Sequence, residues 1–215
     1  MRDVDSARAG SPHGSIATCR LSAEETSATK SSPRAYSDAV TRTRVSSGVA
    51  AVSTPIDLAA CARRLCAPSN ILYSRRFLSR LKQRVRLKES LTPGLFRLED
   101  LGRVKTIYDF DHLFTARVFG FGTADNYYGT QSSNQFLEHI RVPALLVQAK
   151  DDPLIPFEVY RHPAFSKNRH LRLLAVEHGG HLGFVAKKKP RLWLDGVLLE
   201  WMEQVRNKVA EASVL

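Results

Sequence analysis

Cysteine is scarce in this chain, and no two cysteines have the spacing of a metal or redox motif. The 215 residues include three, Cys19, Cys61 and Cys66, with no C-x-x-C pair and no His-rich zinc spacing. A small, odd number of cysteines argues against a disulfide framework and against a structural zinc site. We therefore expect a reducing, cytoplasmic environment.

Long apolar runs and a leader sequence are also missing. No apolar run approaches the ~20 residues that a membrane-spanning helix requires. The first ten residues, MRDVDSARAG, lack the apolar core of a secretory signal. The sequence thus predicts neither a transmembrane helix nor a signal peptide, and its length suffices for one domain with a sizeable core.

Large apolar residues are few between residues 1 and 47, which are rich in Ser, Ala, Thr and Arg. This segment shows no sustained period of 2 or 3.6, which predicts a low-complexity, disordered tail. A transit peptide is the alternative interpretation. Asp3 and Asp5 argue against it, because transit peptides are poor in acidic residues.

Three short apolar runs after residue 47 predict buried strands, since such runs are typical of parallel sheets. They cover residues 49–53, 142–147 and 171–176. Amphipathic stretches lie between and after them. This order of strands and helices predicts an α/β fold with a mostly parallel sheet.

Three stretches with helical spacing of apolar residues predict the main helices, over 56–67, 71–90 and 190–212. Asp57 is in position to cap the first helix, and Pro190 fits the first turn of the third. The predicted apolar stripes are, in chain order, Leu58, Cys61, Leu65 and Cys66; Phe77, Leu78, Leu81 and Val85; and Leu194, Val197, Leu198, Trp201, Val205 and Val209.

Polar side chains follow the second and third predicted strands where those strands end. Asp151 and Asp152 follow the second strand, and His178 and His181 follow the third. In open α/β sheets functional residues cluster beyond the carboxyl ends of the strands, so an Asp and a His should meet there. A carboxylate bonded to one imidazole nitrogen fixes the tautomer and stabilises the imidazolium ion. The DDP turn and the GGH context favour such a pair over a metal site.

These segments resemble a known family. KDDPLIP and EHGGHLGF resemble the carboxyl-terminal half of α/β-hydrolases, specifically the YheT-like esterases, and further matches are VSTPIDLAACA, FDHLFTARVFGFGTADNYYGTQSS and LEHIRVPALLVQAKDDPLIP. The resemblance covers residues 48 to about 205. It implies a partial α/β-hydrolase fold over 48–215, with a helical cap inserted at about 68–135, behind the disordered tail at 1–47.

The resemblance also implies roles for the two Asp–His pairs. The family's acid directly precedes Pro in DDP, which is Asp152 here, and its base follows the double glycine, which is His181. Asp151 and His178 are then candidates for supporting contacts. The implied substrate is a small-molecule or lipid carboxylic ester, and no cofactor and no metal are implied.

The family's nucleophile, a serine in G-x-S-x-G, is absent. The nearest pattern, GSPHG at 10–14, has Pro12 at its centre. Because the family order is serine, acid, histidine, the serine and five strands should precede Val49, and residues 1–47 cannot hold them. We expect a truncated, frameshifted or wrongly started form, or a half-protein that completes its sheet with a partner. Little or no esterase activity is expected from the chain alone, and nothing in the sequence activates Ser53.

The net charge of +11 is compatible with functions other than ester hydrolysis. A basic run without an acid before Glu89 predicts binding to nucleic acid or to an anionic membrane surface, although no nucleic-acid-binding signature accompanies it. A solvated basic face of a cap helix is the plainer interpretation. A non-catalytic interaction module that keeps the hydrolase fold is a third alternative. The basic run consists of Arg75, Arg76, Arg80, Lys82, Arg84, Arg86 and Lys88.

The sequence predicts few binding partners besides the ester substrate. We expect no specific nucleic acid and at most peripheral contact with a membrane, and the sequence leaves the oligomeric state open. Four aromatic side chains of the middle segment are candidates for an apolar acyl pocket, although core packing is the commoner use of such residues. They are Phe110, Phe114, Phe119 and Phe121.

Overall fold

The computed structural model describes residues 48–187, 189 and 191–212. The predicted tail at 1–47 and the predicted role of Pro190 lie outside these residues, and so does the side chain of Val209. Contacts divide the chain into two units. Residues 62–131 form the helical unit, and residues 48–61 and 132–212 form the sheet unit.

Seven α-helices are present among the described residues, with 3₁₀- and π-helical segments between several of them. No described helix is both long and apolar enough to cross a membrane. The helices are α1 (Leu58–Leu65), α2 (Ile71–Leu91), α3 (Ile107–Phe110), α4 (Ala116–Val118), α5 (Ala124–Gln131), α6 (Ala164–Lys167) and α7 (Trp193–Ala212).

The sheet unit contains three parallel strands, which confirms the predicted α/β class. They are β1 (Val49–Val52), β2 (Ala144–Ala149) and β3 (Leu171–Val176), in the order β1-β2-β3. Every residue of the central strand β2 is buried. That burial on both faces explains why its sequence is a nearly continuous apolar run.

The second strand starts later than predicted. Residues 142–147 were expected, but β2 begins at Ala144 and extends to Ala149. Pro143 has no N–H group and only its carbonyl takes part, accepting from Val49 N at 2.8 Å. At the other end Gln148 stays in the strand although it is polar.

The core of the sheet unit lies between the sheet and α7. Alternate residues of β1 and β2 point into it, and the predicted apolar stripe of α7 packs against them, with Trp201 and Val205 buried. The approach is close at Gly48, where an added Cβ would lie 2.8 Å from the Trp201 ring. The buried cluster comprises Ala50, Val52, Leu145, Val147, Ala149, Phe184, Trp201 and Val205.

Two helical predictions need correction. Asp57 caps α1 as predicted, because its Oδ1 accepts from Ala60 N at 2.8 Å. Cys66, however, is exposed, since α1 ends at Leu65 and the chain turns there. In α2 the predicted Phe77 is 39% exposed. At 100° per residue Phe77 lies at the border of the stripe, and Ser74 is buried in its place.

The four phenylalanines do not share one pocket. Phe110 and Phe114 are buried within the helical unit, with ring centroids 5.3 Å apart. Phe119 is 62% exposed, and Phe121 is half-buried. The first two therefore pack in a core, and the acyl-pocket interpretation stays a prediction for Phe119 and Phe121.

Candidate functional site

The candidate site lies at the carboxyl edge of the sheet. Because all three strands are parallel, their carboxyl ends share one edge. Asp151 and Asp152 follow β2 there, and His178 and His181 follow β3. The structure joins them as two separate pairs, one buried and one exposed.

Asp152 and His181 form the buried pair. His181 Nδ1 lies 3.0 Å from Asp152 Oδ2. The Asp152 side chain is fully buried, whereas the His181 side chain is 24% exposed. A carboxylate at Nδ1 leaves Nε2 as the nitrogen that exchanges a proton with a reactant. No hydrogen bond reaches that Nε2 from the part of the chain that the structure describes.

The turn after β2 fixes the Asp152 carboxylate from several sides. Oδ1 accepts from the backbone N–H groups of Leu154 at 2.8 Å and Ile155 at 3.1 Å. This is a local turn in which an aspartate side chain binds the backbone just ahead of it, and Pro153 between them has no N–H to satisfy. The sequence DDPLI thus holds Oδ1 of its second aspartate by local backbone contacts, and Oδ2 remains for other donors.

Hydrogen bonds keep Asp152 ionised despite its burial. Burial raises the pKa of Asp152, but hydrogen bonds from His181, from Gln148 and from the two backbone N–H groups outweigh it and hold the pKa below its ordinary value. The carboxylate is therefore charged at neutral pH. A charged carboxylate is the state that stabilises an imidazolium ion.

Gln148 is a site residue that the sequence did not reveal. Its side chain is wholly buried in β2, and Nε2 donates to Asp152 Oδ2 at 2.9 Å and to Ala149 O at 3.0 Å. Both partners are acceptors, so the amide orientation is fixed: a flipped amide would place oxygen against oxygen. Its Oε1 has no partner among the described residues. A polar residue inside a buried apolar strand is the one signal that could have identified it.

Replacing Gln148 by Leu is expected to raise the pKa of Asp152. The substitution removes a donor to Oδ2 and keeps an apolar side chain of similar size, so the buried charge loses part of its stabilisation. Titration of the Asp152 carboxyl ¹³C resonance measures the change. Gln204→Leu, on the exposed face of α7, is the matched control. An unchanged Asp152 titration in Gln148→Leu would contradict this role.

The exposed pair holds the loop that carries His181. Asp151 Oδ1 accepts from Gly179 N at 3.0 Å and Gly180 N at 2.8 Å, and His178 Nδ1 lies 3.3 Å from Oδ2. The hydrogen bond from Gly180, together with those from Gly179 and His178, outweighs the effect of burial and lowers the pKa of Asp151. The His178 side chain is 89% exposed. Asp151 therefore supports the loop, and His178 lies outside the buried pair.

The double glycine serves two different requirements. Gly180 has φ +60°, in the left-handed region that glycine adopts without strain. Gly179 instead needs space, because an added Cβ would lie 2.8 Å from Phe184 Cδ1 and 3.1 Å from Ala149 Cβ. Phe184 is buried and has no room to withdraw. The loop thus lies directly on the sheet, which sets the position of His181.

Gly179→Ala is expected to destabilise the sheet unit by about 2 kcal/mol, because the new methyl group overpacks a closed core. Urea unfolding followed by tryptophan fluorescence measures this, since Trp193 and Trp201 both belong to α7. Gly196→Ala is the control. No atom lies within 4 Å of its added Cβ, so a helix-favouring residue there should stabilise by up to about 1 kcal/mol. Equal stability of the two variants would refute the packing argument.

Ser53 lies at the site but not in the position of a nucleophile. It follows β1 with φ 48°, and its Oγ donates to the backbone carbonyl of His181 rather than to the imidazole. The hydroxyl therefore positions the histidine loop. No sequence pattern predicts this contact, because the two residues are 128 positions apart in the sequence.

Within the described residues, the carboxyl edge of the sheet does not have the ligand set of a metal site. Among the residues that the structure describes, no three His, Cys, Asp or Glu side chains come together as a metal site would require. The carboxylate oxygens of Asp152 are occupied by protein donors. The arrangement that is present is a hydrogen-bonded acid–base pair.

Curated relatives of the chain are esterases, phospholipases and other α/β-hydrolase proteins by name. The "Putative esterase YheT" of Escherichia coli (strain K12) is 34% identical over 155 residues, which is 70% of this chain and 45% of that protein. Over this stretch the chain is similar to the YheT-like α/β-hydrolases. The matching segment spans less than half of that protein.

Other relatives point to the same family. An "Abhydrolase domain-containing protein" of Dictyostelium discoideum is 29% identical over 70% of this chain and 39% of its own length. The "Phospholipase ABHD3" of Mus musculus is 29% identical over 72% of this chain and 38% of its own length. The chain thus spans less than half the length of these relatives. No protein-family model matches the chain. No solved structure matches it.

Proposed function

We propose that this chain carries the acid and the base of a serine-dependent carboxylic ester hydrolase, with Asp152 as acid and His181 as base. The observation that carries the proposal is the 3.0 Å hydrogen bond between a fully buried carboxylate and a partly exposed imidazole. Relatives named as an esterase and a phospholipase support a small-molecule or lipid ester as the substrate.

The chemistry follows from the orientation of the imidazole. In a complete site a serine hydroxyl attacks the ester carbonyl while His181 Nε2 takes the hydroxyl proton. The same nitrogen later returns the proton to the leaving alcohol. Asp152 remains ionised throughout and stabilises the imidazolium ion through Nδ1, and the Asp151-bound loop keeps the ring in place.

We propose that the chain by itself hydrolyses esters little or not at all. The sequence contains no G-x-S-x-G. In the described residues no hydrogen bond joins a serine hydroxyl to the His181 ring, and Ser53 binds the backbone instead. Without a nucleophile at Nε2, an acid–base pair has no proton to move during acyl transfer.

The experiment that tests the proposal is a chimera. In it, this chain's matching segment replaces the aligned 155 residues of the Escherichia coli relative. The rest of the relative would supply the family's nucleophile. We expect the chimera to hydrolyse p-nitrophenyl butyrate and to react with a serine-directed fluorophosphonate probe, and the chain alone to do neither. Hydrolysis by the chain alone that is lost in His181→Ala would overturn the proposal that the chain by itself has little or no esterase activity.

The remaining expectations from the sequence stay predictions. A cytoplasmic location follows from the sparse cysteines. The alternatives of a nucleic-acid binder and of a non-catalytic interaction module gain no specific support from the carboxyl edge of the sheet. The basic run, in contrast, carries a separate inference.

A further inference from the structure

The outward face of α2 combines leucine and arginine in one line. Positions three or four apart on a helix are neighbours, and six such positions run along the face opposite the buried one. We call them the outward stripe, and all six are exposed. The three leucines are exposed by 77%, 60% and 74% in chain order. The stripe consists of Leu72, Arg76, Arg80, Gln83, Leu87 and Leu91.

Within the residues that the structure describes, the cations of α2 have no acidic partner. Seven Lys and Arg residues lie between positions 75 and 88, and Glu89 is the only acid in the helix. Glu89 accepts from the backbone of Gly94 and Phe96, both at 2.6 Å, and so is occupied elsewhere. Across the described residues none of the seven cations forms an ion pair. The cations of α2, of which Arg76 and Arg80 belong to the outward stripe, are therefore complementary to a negatively charged partner.

A shallow depression beside the outward stripe offers a place for a phosphate group. Two arginines, a lysine, a serine and a glutamine line it, together with Leu78. The ammonium group is anchored, because Lys82 Nζ donates to Val104 O at 2.9 Å. Such donors can form charge-assisted hydrogen bonds with the oxygens of a phosphate group. The bordering side chains are Arg75, Ser79, Lys82, Gln83 and Arg86.

The exposed leucines decide between two anionic partners. Nucleic acid is bound through cationic, polar and aromatic side chains, and aliphatic side chains add little at a phosphate backbone. A bilayer surface can bind both the cations and the leucines of this face. Anionic headgroups attract the cations, and the apolar side chains insert at the boundary between headgroups and acyl chains. We propose that the outward face of α2 binds the surface of bilayers that contain anionic phospholipids. This proposal does not rest on ester hydrolysis.

Vesicle sedimentation of the full chain tests the proposal. We expect binding to phosphatidylcholine vesicles that contain phosphatidylglycerol, weaker binding to phosphatidylcholine alone, and a decrease with salt. Arg76→Glu with Arg80→Glu should weaken binding by about tenfold or more, since each cation near an anionic surface contributes about fivefold. Leu72→Ser with Leu87→Ser should weaken it by about tenfold through lost apolar insertion. Arg206→Glu with Lys208→Glu, exposed on α7, is the matched control with little effect.

Three outcomes would overturn the proposal. One is no binding to phosphatidylglycerol vesicles. A second is binding of the protein to duplex or single-stranded DNA without binding to vesicles, where the leucine variant binds DNA as well as the wild type does. That result would assign the face to nucleic acid. The third is a vesicle-independent dimer, seen by light scattering, that the leucine variant abolishes. Because the substituted side chains are exposed, circular dichroism should show an unchanged fold in every variant.

Discussion

In the chimera, His181→Ala is expected to lower kcat/KM for p-nitrophenyl butyrate by about 10³-fold, because the site loses its general base. His178→Ala is the matched control: the same residue type lies three positions away but is 89% exposed and outside the buried pair. It should change kcat/KM by less than about threefold. The comparison therefore separates loss of the base from any general effect on the loop.

The outcome that would contradict the assignment is a large loss in His178→Ala with activity preserved in His181→Ala. Circular dichroism and urea unfolding show whether each variant keeps the fold. The variants also test whether the loop itself matters, since Asp151 binds Gly179 and Gly180 next to both histidines. A decrease in both variants would indicate a role for the loop rather than for one imidazole.

Asp152→Asn is expected to lower the free energy of unfolding of the sheet unit by about 3 kcal/mol at neutral pH. The buried carboxylate accepts from four donors, and an amide leaves at least one of them without an acceptor. Urea unfolding followed by the fluorescence of Trp193 and Trp201 measures the difference. Asp151→Asn should cost less, because its side chain is 42% exposed and water replaces lost partners.

The stability difference should also depend on pH in a defined direction. The folded-state pKa of Asp152 is depressed, so the unfolded chain takes up this proton at a higher pH than the folded chain does. The stabilisation is fully present above about pH 3.9, the ordinary value for Asp, and is lost as pH falls through the lower folded-state pKa. The gap between wild type and Asp152→Asn should therefore narrow below about pH 3.9. A gap that widens there would contradict an ionised buried Asp152.

The strands and the buried pair could be predicted because each rests on a strong local signal. A continuous apolar run such as 171–176 fits a parallel strand, and the strand is found at those residues. Parallel strands bring their carboxyl ends together, so the aspartates after one and the histidines after the next had to meet. The choice of Asp152 over Asp151 came from the family resemblance, and the structure shows Asp152 as the buried partner of His181.

The remaining features could not be predicted because they depend on contacts made only in the folded chain. In the sequence, Gln148 is a polar residue that interrupts an apolar run. Its amide binds Asp152 only because the turn after β2 brings the Asp152 carboxylate beside it. The contact of Ser53 with the backbone of His181 joins segments far apart in sequence. Phe77 was misplaced for a simpler reason, since a helical period alone does not define how wide the buried face is.

The central claim is that Asp152 fixes His181 through Nδ1 and leaves Nε2 for chemistry. The measurement that tests it most directly is ¹⁵N NMR of the ring nitrogens of the full chain. We expect an exchange-protected Nδ1–H signal from His181 that persists in Asp151→Ala and disappears in Asp152→Ala. Persistence of that signal in Asp152→Ala, or a His181 ring protonated at Nε2 alone in the wild type, would contradict the account.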